Sequence, residues 1–231
     1  MAFEITKELI ENVVSYIENG NDSKLSVLFS EMHYADIAEV LDEISFDEAV
    51  YIIKLLDSET TSDILIELDE DVREKILEQL TAKEIAEEVE ELDSDDAADI
   101  IGELPEERQE AVMSQIEDEE HVKEIEELLT YDENSAGSLM AKELVKVYET
   151  WTVAGCMRRI RAQAKDVTRV HSIYVVDKHD KLVGRLSLKD LIIAKSDQKI
   201  ADIAKSNVDA VNVNENDEEV AKRPWDLAIR H

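Results

Sequence analysis

The sequence predicts an α plus α/β chain: an all-helical superhelical array over residues 1–136, then a smaller α/β fold that begins near Gly137. Three observations carry this expectation. First, an apolar residue recurs every twelve positions, at Ile44, Leu56, Leu68, Leu80, Leu92, Leu104 and Ile116. Each is followed by a turn- or cap-like residue (Ser45, Asp57, Asp69, Thr81, Asp93, Pro105, Glu117). That spacing fits a helix of about ten residues plus a short corner, and a fixed period signals an array. Second, charge divides at the same place: residues 1–136 hold 43 Asp and Glu against 8 Lys and Arg, whereas residues 137–231 hold 14 against 17. Third, beyond Gly137 the helical period gives way to alternating and β-branched runs.

The elements follow in order. Residues 4–19 are amphipathic, with Ile5, Leu9, Ile10, Val13 and Ile17 near helical spacing, and Gly20-Asn21-Asp22 ends that helix. A second helix spans about 23–31, and His33-Tyr34-Ala35-Asp36 leads into the array. Ser45-Phe46-Asp47-Glu48 and Thr81-Ala82-Lys83-Glu84 are capping boxes, in which a hydroxyl serves an early amide and the Glu reaches back. Asp57, Asp69 and Asp93 are simpler caps. Pro105 falls at a helix start, where its missing N–H is harmless. A last helix is expected at 119–130. One ten-residue helix is only about 15 Å long and marginal alone, so these helices must stack into a compact spiral of about ten.

In the remainder, 143–148 reads as a strand and 152–164 as a helix capped by Thr152. Residues 172–176 form a second strand, 177–180 a turn, 181–186 a third strand, and Ser187 caps a helix to about Lys195. From Ile200 the order restarts, with a strand expected at 210–213 and a helix opening at Asp217-Glu218-Glu219.

Composition narrows the function. Hydrophobic content of 44% supports a real core, and two prolines with five glycines argue against a disordered acidic tail. No apolar run reaches the roughly 20 residues of a bilayer span, and the acidic amphipathic start is unlike a signal peptide. Cys156 is the only cysteine, which excludes a disulfide framework and suits a reducing compartment. The acidic half should repel nucleic acid and anionic lipid and attract cations. No Walker loop, G-x-S-x-G or H-E-x-x-H is present, so the chain is not expected to be an enzyme.

The strand–helix–strand–strand–helix order, with Ile173-Tyr174-Val175-Val176-Asp177, Leu182-Val183-Gly184 and Ser187-Leu188-Lys189-Asp190-Leu191, resembles a CBS domain. The array's opening His33-Tyr34-Ala35-Asp36-Ile37-Ala38, the segment Ser94-Asp95-Asp96-Ala97-Ala98-Asp99 and the junction Ser135-Ala136-Gly137-Ser138-Leu139-Met140 resemble the intracellular region of MgtE magnesium transporters, although that family usually has Pro in place of Tyr34. The resemblance implies an N domain over 1–136, a first CBS domain over 137–198 and a truncated second CBS unit over 199–231. The chain ends earlier than the resemblance requires, and Pro224 would interrupt the helix expected there.

The same resemblance implies a parent protein that is a homodimer in the bacterial cell membrane. Its cytoplasmic part would bind Mg²⁺ between the N and CBS domains, gate the pore of its own membrane domain, and in some members bind ATP at the CBS domains. The implied metal ligands are Asp95 and Asp99, four apart and therefore on one helix face, with Asp96 pointing elsewhere. Asp63 (where the family usually has Glu), Ser138 through its backbone carbonyl and Glu218 complete the implied set.

Other residues have blander readings. The basic cluster of Arg158, Arg159, Arg161, Lys165 and Arg169 suits either nucleotide phosphates or surface salt bridges. His33 reads as structural, Cys156 as core, and His121, His171 and His179 lack metal-ligand spacing. Two other functions stay open from sequence: a helical-repeat scaffold carrying a CBS adenylate-binding module without transport, and an acidic nucleic-acid mimic.

Overall fold

The computed structural model of the chain describes residues 5–163 and 172–223. Two compact units are present, residues 1–127 and 128–231.

The first unit is entirely helical: α1 Lys7–Glu18, α2 Asp22–Ser30, α3 Tyr34–Glu43, α4 Phe46–Ile53, α5 Ser58–Glu67, α6 Glu70–Gln79, α7 Ala82–Val89, α8 Ser94–Gly102, α9 Glu106–Met113 and α10 Glu119–Leu128. Helices α3 to α9 each begin twelve residues after the one before. Of the periodic apolar residues, Leu68, Leu80, Leu92, Leu104 and Ile116 are buried, while Ile44 and Leu56 are half-buried. They lie just beyond the helix ends and turn each corner inward.

Alternate helices pack together, α3 on α5, α4 on α6, α5 on α7 and α7 on α9, so the spiral has two rows of helices. Ile37, Leu41, Ile52, Ile64, Leu65, Ile76, Leu77, Ile85, Ile100 and Ile101 fill the space between them. Thr81 accepts from the Glu84 amide at 3.2 Å while the Glu84 carboxylate accepts from the Thr81 amide at 2.7 Å. Asp57 accepts from the Thr60 amide at 3.0 Å. Asp69 takes the cap position of α6 without such a bond.

The second unit holds a three-stranded sheet in the order β1 Val145–Tyr148, β2 Ile173–Val176, β3 Leu182–Leu186. β1 and β2 are parallel, with Val145 opposite Ile173, and α11 Val153–Gln163 lies between them in the chain, as a parallel connection requires. β2 and β3 are antiparallel. Their turn is held by the Asp177 carboxylate, which accepts from the amides of His179 (2.8 Å) and Lys181 (3.0 Å), with Asp180 in the left-handed region at φ 58°. Ser187 and Asp190 form the capping box of α12 Leu188–Ile193. Val145, Val147, Cys156, Ile160, Ile173, Val175, Leu186, Leu191 and Ile200 form the core.

Beyond α12, a short 3₁₀ turn at Ile200–Asp202 and α13 Asp217–Ala221 follow. The strand expected at 210–213 does not form. Asn212 instead makes a side-chain turn, its Oδ1 accepting from the Asn214 amide at 2.9 Å, and the Val213 carbonyl accepts from Gly137 at 2.8 Å. The backbone's bonds are therefore spent locally and on the junction segment rather than on a ladder. Ala136 likewise donates to Glu215 (2.8 Å) and Asp217 to Asn134 (3.0 Å), which ties residues 134–137 to the second unit.

Candidate functional site

The candidate metal ligands divide between the units. Asp95 and Asp99 sit on α8, near its start and one turn further on, on one face. Asp95 is half-buried and Asp99 exposed. Asp63 lies exposed on α5. Ser138 and Glu218 belong to the second unit. The Ser138 hydroxyl donates to the carbonyls of Glu133 (3.0 Å) and Ser135 (2.9 Å), which shapes the junction loop. Glu218 is exposed in the first turn of α13 and pairs with Lys222 at 2.9 Å. Both flank the segment where residues 134–137 bond to 213–217.

The first unit is strongly acidic, and two of its other carboxyls register it. Burial, reinforced by Asp69, Glu39 and Glu43, raises the Asp42 carboxyl. Glu88 on α7 is pushed up to about 8, first by burial and then by Glu87, Asp57, Glu91 and Glu84. Carboxylate oxygens in a strongly acidic unit suit a hard divalent cation that keeps most of its water. The residues present therefore fit Mg²⁺.

Few cations answer these acids, and two of them are bound into the fold. Arg73, in the first turn of α6, donates from Nη1 to the carbonyls of Leu65 (3.2 Å), Ile66 (3.4 Å) and Leu68 (3.4 Å) at the end of α5. Its Nε and Nη2 grip the Glu103 carboxylate, which closes α8. Glu103 and Asp99 both favour its charged state. Arg108 on α9 donates to the carbonyls of Leu77 (2.9 Å) and Leu80 (2.7 Å) at the end of α6.

Sequence reasoning missed these seams, although a signal existed. The fourth residue of the periodic helices is Ile37, Ala49, Ile85 or Ala97 in four cases, but Thr61, Arg73 and Gln109 in the other three. Each of those polar side chains reaches carbonyls at the end of the preceding helix: Thr61 to Ile53 (3.4 Å), Arg73 as above, and Gln109 to Leu104 (2.8 Å). A polar residue in an apolar register is the mark of an orphan-carbonyl partner.

In the second unit, Arg158, Arg159 and Arg161 lie exposed on α11, whereas Lys165, Arg169 and His171 lie outside the described residues. Cys156 is buried, and desolvation raises its thiol to about 11, which removes it as a nucleophile at neutral pH.

Comparison with known proteins matches the helical and α/β parts separately. Residues 32–134 match the MgtE intracellular N domain and residues 136–197 match the CBS domain. The cytosolic domain of the Mg²⁺ channel MgtE in complex with ATP superimposes with a TM-score of 0.83 at 30% identity, covering 92% of this chain and 87% of that one. The chain belongs to the MgtE family.

A second solved structure, the soluble part of a magnesium transporter, gives a TM-score of 0.77 at 26% identity over 93% of this chain and 84% of that one. Among curated MgtE magnesium transporters, that of Thermus thermophilus is 41% identical over 92 residues, and that of Enterococcus faecalis 37% over 94. Those stretches cover 40% and 41% of this MgtE chain but only 20% and 21% of the relatives, so the chain matches about a fifth of their length. Among its described residues no helix is long and apolar enough to cross a membrane.

Proposed function

We propose that this chain is the Mg²⁺-sensing cytosolic region of an MgtE-type magnesium transporter or channel, acting on the cytoplasmic side of the bacterial cell membrane. The observation that carries it is the Asp95–Asp99 pair on one face of α8, in a stretch, residues 1–136, where 43 acids face 8 bases. Asp95, Asp99 and Asp63 would be the cation ligands of the first unit, and Ser138 and Glu218 those of the second. Mg²⁺ supplies two positive charges at a point where carboxylates repel. Binding therefore favours compact states of the assembly over extended ones, and loss of Mg²⁺ reverses that preference. The sensor would act on the parent protein's membrane pore, as a homodimer through its CBS part, and without nucleic acid.

ATP is the companion ligand proposed for the second unit. The related cytosolic domain was captured with ATP, and the exposed arginines of α11 offer phosphate partners.

Small-angle scattering during a Mg²⁺ titration tests the sensor. The radius of gyration should fall with Mg²⁺ and should not fall in NaCl of matched ionic strength. No change up to about 10 mM, well above the roughly 1 mM dissociation constants of weak oxygen-ligand modules, overturns the reading.

A further inference from the structure

The two helices that carry the implied carboxylates of the first unit are α5, with Asp63, and α8, with Asp95 and Asp99. Arg73 bonds to both: its guanidinium takes three carbonyls at the end of α5 and the carboxylate of Glu103 at the end of α8. The pair is largely withdrawn from water, with side chains 15% and 18% exposed, so it is held in one geometry rather than sampled among many. The other seam arginine, Arg108, joins α9 to α6, neither of which carries an implied ligand.

The structure assigns Arg73, with Glu103, as the positioning residue of the cation site, fixing the Asp63 helix against the Asp95–Asp99 helix. This rests on the Mg²⁺ reading above. Arg73 touches no cation itself. It fixes the two helices that carry the carboxylates against each other, so that a cation meets a prearranged face without first assembling it. Such supporting bonds to a metal site are worth about 10- to 100-fold in affinity.

The test is Mg²⁺ binding by calorimetry on the full chain, with folding followed by circular dichroism. R73K keeps the charge and loses the fork, E103Q removes the carboxylate that the fork grips, and R108K is the control for a seam without ligands. The wild type should bind Mg²⁺, R73K and E103Q should weaken it about tenfold or more, and R108K should stay within about twofold. Wild-type binding with R73K and E103Q unchanged overturns the assignment while leaving the sensor intact. So does equal weakening by R108K, or failure of both R73K and E103Q to fold, since each marks a role in stability alone. Absence of Mg²⁺ binding by the wild type overturns the sensor and this assignment with it.

Discussion

Gly137 lies directly against the ring of Tyr131: a Cβ at this glycine would sit 2.7 Å from Tyr131 Cγ and Cδ1, and 3.0 Å from the Val213 carbonyl oxygen. That proximity explains the glycine in the junction motif by close approach. Gly137→Ala must push the ring or the 213 backbone aside, and overpacking of this kind destabilises by about 1–3 kcal/mol. Chemical denaturation should show that loss in the second unit. In a Tyr131→Ala background the same substitution should be less harmful, because only the carbonyl contact remains.

Arg108 gives a second prediction. Its guanidinium serves two carbonyls at the end of α6 from a half-buried position. Arg108→Met keeps the stem and strands those carbonyls, for about 1–3 kcal/mol. Lys83→Met, which removes an exposed pair with Glu87, should change stability by less than about 0.5 kcal/mol. Urea midpoints of the two variants measure the contrast directly.

How far the sequence foretold the fold depends on whether local spacing carried the information. The twelve-residue period located the starts of α4 to α9 because each corner repeats the same local chemistry, a buried or half-buried apolar residue followed by a cap-position residue. The Asp177 turn and the Ser187 box were equally local. The 210–213 strand was not legible, since its Val and Ala residues suit a strand but Asn212 turns the chain and Gly137 captures Val213. Residues 134–136, expected with the acidic array, fall in the second unit, their backbone partners lying some eighty residues later.

The candidate site was legible only as residue types on a helix face. That Asp95 and Asp99 share a face follows from their four-residue spacing, and their choice as ligands from the resemblance, but the Arg73–Glu103 bond spans thirty positions and needs the stacked helices to bring it together.

Glu88 sets a pH dependence. Its Oε2 is buried, with no hydrogen-bond partner, and its carboxyl is raised to about 8 by burial and then by Glu87, Asp57, Glu91 and Glu84. Between the ordinary value of 4.5 and about 8 the folded state holds a proton that the unfolded state releases. Stability from this group therefore falls as pH rises through that window and levels off above it. Glu88→Gln should flatten the slope and stabilise the protein at pH 9, on the order of 1–2 kcal/mol once solvent screening is allowed for. Thermal melts from pH 5 to 9 check this; an unchanged slope in the variant contradicts it.

Asp57 and Glu84 act with the opposite sign. The Thr60 amide holds Asp57 below its ordinary value, and the Thr81 amide and hydroxyl do the same for Glu84. Their capping contributions are fully present above the ordinary carboxylate range and are lost as pH falls through the depressed values. Asp57→Asn should leave the acid limb of the stability profile shallower, since an amide still caps the helix without titrating.

Asp95 and Asp99 give the prediction closest to function. Without Mg²⁺, Asp95 in the first turn of α8 gains from the helix dipole, so Asp95→Asn should destabilise by about 0.3–1 kcal/mol. On the Mg²⁺ reading proposed above, the wild type should gain stability by mass action, about 1.4 kcal/mol for a ligand at ten times its dissociation constant. The double variant D95N/D99N keeps the side-chain shapes but removes both charges, so the Mg²⁺-dependent rise in melting temperature should disappear while a folded, cooperative melt remains. Melting the two proteins side by side across a Mg²⁺ series, with ionic strength held by NaCl, separates specific binding from screening. An equal rise in both proteins would clear these two aspartates of a ligand role and move the search to the remaining carboxylates of the array.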